Sequence, residues 1–182
     1  KFFSFIPNLL SIIRIGLVYP ILNGIYYANY QFAIFIFVIA SFTDALDGFI
    51  ARQMQWQSQL GKILDPVADK LLISGAIFVL WITQLIPFYV FLVLISRDVI
   101  ILLGASVHMT IIDLNPPSPN IYGKATTFLQ IIYVFTILFF NYMNFNSYNM
   151  FLEIIVISLT VFSLIVYIKD WIKNLKDHEA KN

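Results

Sequence analysis

The sequence predicts an all-α integral membrane protein with six transmembrane helices and both termini in the cytoplasm. The 182-residue chain is 60% hydrophobic and only 12% charged, with a mean hydropathy of +0.84, far from the balance of a soluble domain. Six apolar stretches come close to the roughly 20 residues that a helix needs to cross a bilayer. Lys and Arg concentrate at alternate ends of these stretches, as they do on the cytoplasmic side of membrane proteins.

Prolines mark several boundaries of the predicted helices. Pro7 opens the first helix, Pro66 precedes the third and Pro87 precedes the fourth, because proline is tolerated at a helix start. A proline-rich loop over 115–120 precedes the fifth. No repeat or low-complexity segment divides the chain, so residues 1–182 are expected to form one domain. The predicted helices are 6–28, 31–53, 67–86, 88–110, 122–142 and 149–170.

Basic residues set the predicted orientation. The turns around Asn29, Gln84 and Asn144 carry no Lys or Arg, whereas the C-terminal tail is basic. An even number of spans with both ends inside satisfies this asymmetry. Of the eleven basic residues, Arg14 and Arg97 lie deeper in the predicted spans. The others lie at or near cytoplasmic helix ends: Lys1, Arg52, Lys62, Lys70, Lys124, Lys169, Lys173, Lys176 and Lys181.

The composition excludes several classes of function. The chain has no cysteine, which excludes disulfides, a thiolate nucleophile and a cysteine zinc site. With two histidines, carboxylates are the favoured metal ligands. A net charge of +1 argues against a nucleic-acid partner, which would require a concentrated basic surface.

Four of the ten acidic residues fall in the 34 residues from 41 to 74. Asp44 and Asp47 are three apart, and Asp65 and Asp69 are four apart, so each pair shares a helix face. An unpaired carboxylate at membrane depth costs about 2.5–3.5 kcal/mol, and divalent cations would relieve both this cost and the mutual repulsion. Oxygen ligands suit Mg²⁺, Mn²⁺ or Ca²⁺, and shared carboxylates can hold two ions.

Small residues accompany the acids, since Gly48, Ala51 and Gly61 lie close to the same helix faces and leave room for a bulky ligand. The alternative is that the acids are local features, with Asp65 as a helix N-cap and Asp44 near an interface. Capping does not require small residues in register with all four acids, so a shared site is favoured.

The acids and small residues between 44 and 69 form one pattern. It reads Asp44, two residues, Asp47, Gly48, two residues, Ala51, Arg52, eight residues, Gly61, three residues, Asp65, three residues, Asp69. This pattern resembles the signature of the CDP-alcohol phosphatidyltransferases. The resemblance implies a homodimer, CMP as a product, and an active site that opens to the cytoplasmic side of a bacterial inner membrane or, alternatively, to the matrix side of a mitochondrial inner membrane.

The same resemblance assigns roles to these residues. It implies two Mg²⁺ or Mn²⁺ ions on Asp44, Asp47, Asp65 and Asp69, with Asp69 also the candidate general base. Attack of an alcohol on a diphosphate requires charge neutralisation, a stabilised leaving group and such a base. The implied contacts of CDP-diacylglycerol are Gly48, Ala51 and Gly61 beside the cytidine and Arg52 at the nucleotide phosphate.

Segments outside the signature favour one acceptor alcohol. IPNLLSIIRIGL, LDGFIAR, QSQLGKILDPVADKLLIS and ISRDVIIL are similar to the CMP-forming cardiolipin synthases, whose acceptor is phosphatidylglycerol. The related phosphatidylglycerophosphate synthases use glycerol 3-phosphate and typically have Glu after the fourth-helix Arg and a second Lys in a GKxKT segment. Here Asp98 follows Arg97, and Gly123 to Thr127 contains Lys124 alone. Phosphatidylglycerol is therefore the expected acceptor, and glycerol 3-phosphate is the alternative.

Arg97 and Lys124 are the cations available for the acceptor phosphate, since an Arg within the membrane usually faces inward. The alternative for Arg97 is a structural ion pair, although the adjacent Asp98 points elsewhere on a helix and is not the expected partner. Arg14 is either functional or extends toward the interface. His108 is expected to be an interface residue.

Two rival classes remain. A cation transporter or channel would use the acids as an ion site, but a transporter should show paired halves with broken helices, which this sequence lacks. A structural membrane protein with incidental acids predicts that Asp47→Asn and Asp69→Asn leave lipid synthesis intact.

Overall fold

The computed structural model describes residues 6–54, 61–110, 121–145 and 150–179, and the side chains of 12–43, 70–104, 121–145 and 150–173. These residues form helices and short turns, with no strand among them. The predicted all-α class is therefore confirmed. The described helices are α1 (Ile6–Tyr26), α2 (Tyr30–Met54), α3 (Gly61–Ile82), α4 (Phe88–Thr110), α5 (Ile121–Tyr142) and α6 (Met150–Glu179).

Two predicted helices differ clearly from the structure at their ends. The third helix occupies Gly61–Ile82 rather than 67–86, and the sixth continues to Glu179 rather than ending at 170. Pro66 removes one backbone hydrogen bond, in the second turn of α3, and membrane helices tolerate such a loss. The basic tail continues α6 because Lys, Leu and Glu are good helix formers.

Two helices among the described residues are long and apolar enough to cross a bilayer, over Ile121–Tyr142 and Met150–Lys173. Shorter apolar helical segments occupy Ile12–Tyr26, Tyr30–Thr43 and Lys70–Ile82. These segments are consistent with a membrane protein. The count of six spans and the orientation of the termini stay predictions.

Three helices end in the same type of cap. Ala28, Gln84 and Asn144 have φ angles of 57°, 60° and 55°, the left-handed conformation that commonly terminates a helix. They lie at or beside the three predicted turns whose sequences contain no Lys or Arg. In each cap a backbone N–H donates to the carbonyl five residues earlier: Asn29 to Gly24 at 2.8 Å, Leu85 to Leu80 at 2.9 Å and Phe145 to Phe140 at 2.9 Å.

The chain divides into two compact units. The first unit comprises Lys1–Ile86 and Val134–Ser147, and therefore contains α1, α2, α3 and the second half of α5. The second unit comprises Pro87–Tyr133 and Tyr148–Asn182, and contains α4, the first half of α5 and α6.

In the first unit, α1 packs against both α2 and α3. Two glycines allow these helices to approach closely, as small residues do in membrane proteins. A Cβ atom added at Gly24 would lie 3.1 Å from the Cβ of Ala33 on α2. One added at Gly75 of α3 would lie 3.2 Å from Cδ1 of Leu22 on α1.

In the second unit, α4 packs against α6, and the two helices run parallel. The hydroxyl of Tyr89 donates to Glu153 near the start of both helices. Further along, the hydroxyl of Tyr167 donates to the carbonyl of Ile101 at 3.4 Å. Because both partners advance along the chain together, the two helices point in the same direction.

Candidate active site

The four aspartates of the predicted metal site lie on two helices of the first unit. Asp44 and Asp47 fall in the second half of α2, and Asp65 and Asp69 fall in the first half of α3. The structure describes the helical backbone at these positions, whereas the four side chains lie outside the described set. Convergence of the carboxylates therefore stays a prediction.

The buried face of α2 leads toward positions 44 and 47. Ala33, Phe37 and Ala40 are at most 1% exposed, and their spacings of four and three residues define one face of the helix. Continuing with the same spacings reaches 44 and 47, and the backbone stays helical through Met54.

The buried face of α3, followed toward the start of the helix, likewise reaches the positions of Asp69 and Asp65. Leu80, Ala76 and Ile73 are buried at spacings of four and three residues, and two further steps of four reach 69 and 65. Six residues, 55–60, join α2 to α3, and seven peptide units reach at most about 25 Å. The helical backbone therefore assigns both aspartate pairs to the continuation of buried faces, in the halves of α2 and α3 that segment 55–60 joins.

The residues predicted to contact the nucleotide lie on the same two helices. Gly48, Ala51 and Arg52 belong to α2, and Gly61 is the first residue of α3. Their surroundings lie outside the described side chains, so their roles stay predictions.

Arg14 of α1 is buried, with 1% of its surface exposed. It shares a face with Ile21 and Ile25, which are also buried. The alternative in which Arg14 extends to the membrane interface is therefore wrong. The physical reason is its position on the face by which α1 packs against its neighbours.

In the second unit, Arg97 is held in a buried network. Its Nη1 lies 2.6 Å from Oδ1 of Asp98, its Nη2 donates to Oγ of Ser163 at 3.3 Å, and Nη2 reaches the Gly123 carbonyl at 3.5 Å. The expectation that Asp98 is not the partner of Arg97 is therefore wrong. The long arginine side chain reaches around the helix, and burial at 4% and 5% exposure strengthens the attraction between the two charges.

The contact with Gly123 links Arg97 to the start of α5. Lys124, the other cation predicted for the acceptor, follows Gly123 directly and is exposed. The structure thus brings the guanidinium of Arg97 to the backbone beside Lys124. The side chain of His108 lies outside the described residues.

A family comparison identifies the class of enzyme. The model of the CDP-alcohol phosphatidyltransferase family matches residues 4–166, which covers all six helices apart from the end of α6. The chain belongs to this family. The resemblance carried by the aspartate signature is confirmed.

Three proteins with similar sequences are named for two different acceptor reactions. This phosphatidyltransferase is 30% identical over 169 residues to the CDP-diacylglycerol–glycerol-3-phosphate 3-phosphatidyltransferase of Aquifex aeolicus, covering 92% of each chain. It is 48% identical over 99 residues to the cardiolipin synthase (CMP-forming) of Rattus norvegicus, covering 53% of this chain and 32% of that protein. It is 37% identical over 112 residues to the CDP-diacylglycerol–glycerol-3-phosphate 3-phosphatidyltransferase of Bacillus subtilis, covering 58% of this chain and 54% of that protein.

The extent of these matches differs. The match spans nearly the whole Aquifex enzyme, about half of the Bacillus enzyme and about a third of the rat cardiolipin synthase. Both kinds of relative are therefore represented, and sequence similarity alone does not separate the two acceptors for this phosphatidyltransferase.

The donor set of the signature fits a hard divalent cation. The signature makes the four aspartates the candidate ligands, and the side chains that the structure describes contain no group of three or more Asp, Glu or His residues that could hold a metal. Each pair occupies neighbouring turns of one helix, on the continuation of a buried face. By their chemistry, carboxylate oxygens suit Mg²⁺ or Mn²⁺ and not a zinc site built on nitrogen and sulfur.

Sequence reasoning missed two buried polar residues of this phosphatidyltransferase, both in the second unit. Glu153 of α6 is 3% exposed and accepts the hydrogen bond of Tyr89. Gln130 of α5 is fully buried, and among the described residues neither atom of its amide group has a hydrogen-bond partner. The available signal was an ionisable or amide group inside an apolar span, which is itself an indication of function.

Proposed function

We propose that this chain transfers the phosphatidyl group of CDP-diacylglycerol to a hydroxyl of phosphatidylglycerol, forming cardiolipin and releasing CMP. The hydroxyl oxygen attacks the phosphorus that carries diacylglycerol, and a new phosphorus–oxygen bond forms. The bond from that phosphorus to the bridging oxygen breaks, and the bridging oxygen leaves on CMP. The proton of the hydroxyl passes to a carboxylate.

The observation that carries this proposal is the complete aspartate signature between 44 and 69 in a chain that belongs to the family. Supporting it, the buried faces of α2 and α3 continue into the aspartate positions. An acidic cluster with this spacing, on two consecutive helices that both pack against α1, suits phosphoryl chemistry better than capping does.

The proposed roles follow from charge. Asp44, Asp47, Asp65 and Asp69 would hold two Mg²⁺ or Mn²⁺ ions, which when bound neutralise charge on the diphosphate. Asp69 accepts the proton of the attacking hydroxyl, because an aspartate is ionised at neutral pH.

The remaining family positions bind the nucleotide in this proposal. Gly48, Ala51 and Gly61 have no bulky side chain and admit the cytidine against the helices. Arg52 binds the nucleotide phosphate, which a guanidinium can contact through two parallel hydrogen bonds.

The charge of the Arg97 network favours phosphatidylglycerol as the acceptor. Arg97 and Asp98 together are neutral, which leaves Lys124 as the other cation proposed for the acceptor. A phosphodiester with one negative charge matches this balance better than the dianion of glycerol 3-phosphate. Arg97 still has a donor to offer, since among the described residues its buried Nε has no hydrogen-bond acceptor.

One observation favours glycerol 3-phosphate as a second candidate acceptor. The Aquifex relative, whose name specifies glycerol 3-phosphate, matches over 92% of both chains. The product in that case is phosphatidylglycerophosphate, and the same aspartates act on the same donor.

The proposal extends to the whole molecule. It includes a single domain over residues 1–182, six spans with both termini in the cytoplasm, and a homodimer. The active site opens to the cytoplasmic side of a bacterial inner membrane, or to the matrix side of a mitochondrial one. The family match over 4–166 supports one domain, and the turns without basic residues support the orientation.

The test is a paired incubation of the purified chain with CDP-diacylglycerol, Mg²⁺ and either phosphatidylglycerol or glycerol 3-phosphate, followed by mass-spectrometric identification of the lipids. Cardiolipin formed with stoichiometric CMP is the expected result. Predominant phosphatidylglycerophosphate would favour the second acceptor. Absence of CMP release with both acceptors would overturn the enzyme assignment and favour a cation transporter.

A further inference from the structure

The proposed mechanism leaves one buried cation of the first unit without a role. Arg14 lies in the middle of α1, and only 1% of its surface is exposed. Its neighbours Ile12 and Ile13 are 51% and 48% exposed, so this helix has a clear inner face to which Arg14 belongs. A charged residue buried at membrane depth is usually paired and functional.

The register between α1 and α2 relates Arg14 to the first aspartate pair. A three-residue turn, 27–29, joins the two helices, so they run antiparallel. Their close approach at Gly24 and Ala33 fixes the register. Arg14 lies ten residues before Gly24, and Thr43 lies ten residues after Ala33. Because the helices are antiparallel, both residues are about 15 Å from the Gly24–Ala33 contact, in the same direction. Arg14 is therefore level with the backbone beside Asp44.

The direction of α3 follows from chain connectivity. Segment 55–60 joins the end of α2 at Met54 to the start of α3. Met54 is 21 residues, or about 31 Å, further along α2 than Ala33. Gly75 of α3, however, lies beside Leu22, which is in the part of α1 nearest the start of α2. Only a helix that runs back along α2 can make that contact, so α3 is antiparallel to α2 and parallel to α1.

The register between α1 and α3 then relates Arg14 to the second aspartate pair. Arg14 lies eight residues before Leu22, and Val67 lies eight residues before Gly75. Both are therefore about 12 Å from the Leu22–Gly75 contact, in the same direction. Val67 falls between Asp65 and Asp69. Two independent helix contacts thus assign Arg14 to the same level as both halves of the signature.

We propose that the guanidinium of Arg14 binds the diphosphate of CDP-diacylglycerol, which makes Arg14 a further substrate-binding residue of the active site. This inference rests on the proposed function. Two divalent ions balance the four aspartates, whereas the diphosphate brings two more negative charges into a site of low dielectric. A planar guanidinium compensates that charge and can contact phosphate oxygens through two parallel hydrogen bonds.

The experiment compares Arg14→Lys and Arg14→Met with the matched control Ile13→Leu, an exposed position on the same helix. Equilibrium binding of CDP-diacylglycerol to the purified full chain is measured without acceptor, so that turnover does not contribute. Melting temperature, and KM for each substrate in the complete reaction, are measured alongside. Arg14→Met is expected to weaken CDP-diacylglycerol binding by about 10- to 100-fold, with the KM of the acceptor unchanged.

Arg14→Lys keeps the positive charge but cannot donate the two parallel hydrogen bonds of a guanidinium, so its affinity for CDP-diacylglycerol should lie between those of the wild type and Arg14→Met. If Arg14→Met does not fold, the affinity of Arg14→Lys alone tests the proposal. Unchanged affinity of Arg14→Lys would overturn the proposal, as would equal increases in the KM of both substrates. These results differ from failure of the proposed function, in which the wild-type chain itself releases no CMP.

Discussion

At the scale of single residues, Asp69 has two proposed tasks, as a metal ligand and as the base that accepts the proton of the attacking hydroxyl. Asp69→Asn keeps the size of the side chain and removes its charge and basicity. We expect the rate of CMP release from CDP-diacylglycerol to fall by about 10²- to 10⁴-fold. The measurement is the initial rate of CMP formation at saturating substrate.

The matched control is Asp170→Asn, the same chemical change at an exposed carboxylate of α6. This control should keep the wild-type rate. Wild-type activity of Asp69→Asn would contradict the role of Asp69 and support the structural reading of the acids.

Tyr89, which is 54% exposed, and the buried Glu153 form a partly buried hydrogen bond between α4 and α6. A double-mutant cycle with Tyr89→Phe and Glu153→Gln should give a coupling free energy of about 0.5–2 kcal/mol, since hydrogen bonds between membrane helices reach about 1.7 kcal/mol. The free energy of unfolding in detergent is the quantity to measure.

The control for this cycle replaces Tyr89→Phe with Tyr19→Phe, at a tyrosine that is 75% exposed. The control pair should show no coupling. Additive effects of Tyr89→Phe and Glu153→Gln would mean that the hydrogen bond contributes nothing to stability.

Single residues also show where sequence reasoning succeeded and failed. The spacing of the aspartates identified the family, because that chemistry requires those residue types at those positions. The Arg97–Asp98 pair could not be predicted from helix faces, since face rules describe Cβ positions and the guanidinium lies several bonds further out. The environment of Glu153 depends on α4, which lies about 60 residues earlier in the chain.

At the scale of elements, the positions of all six predicted helices were predictable because long apolar stretches separated by turns can hardly form anything else in a membrane. Their ends were less predictable. Pro66 indicated a helix start, yet α3 begins five residues earlier, because loss of a single hydrogen bond does not outweigh continuation of the helix.

The close approach of α1 and α2 gives a prediction about packing. A Cβ at Gly24 would meet Cβ, Cα and N of Ala33 at 3.1, 3.4 and 3.4 Å, and backbone atoms cannot move aside easily. Gly24→Ala should therefore lower the free energy of unfolding by about 1–3 kcal/mol, measured by thermal or chemical denaturation in detergent.

Gly16→Ala is the matched control on the same helix, because a Cβ there meets nothing within 4 Å. It should be neutral or stabilising by up to about 1 kcal/mol, through the better helix propensity of alanine. Equal effects of the two substitutions would contradict the proposed register of α1 and α2, and with it the placement of Arg14.

At the scale of the whole molecule, composition predicted a membrane protein and the basic residues predicted its orientation. The identity of the acceptor could not be predicted with the same strength, because it depends on the charge balance around a few buried side chains. The neutral Arg97–Asp98 pair became visible only in the folded chain.

The orientation can be tested with single cysteines, since the chain has none of its own. Asn144→Cys, at an exposed turn between α5 and α6, should react with a membrane-impermeant maleimide in spheroplasts. Lys173→Cys, exposed near the end of α6, should react only after the membrane is opened. Labelling of both from the same side would contradict the even number of spans with cytoplasmic termini.

The central claim is that Asp44, Asp47, Asp65 and Asp69 together hold divalent metal, and titration of the purified chain with Mn²⁺, followed by electron paramagnetic resonance, tests it most directly. The account predicts about two bound ions per chain, retained in Asp170→Asn and lost when all four aspartates are replaced by asparagine. Undiminished Mn²⁺ binding by a folded fourfold variant would contradict it.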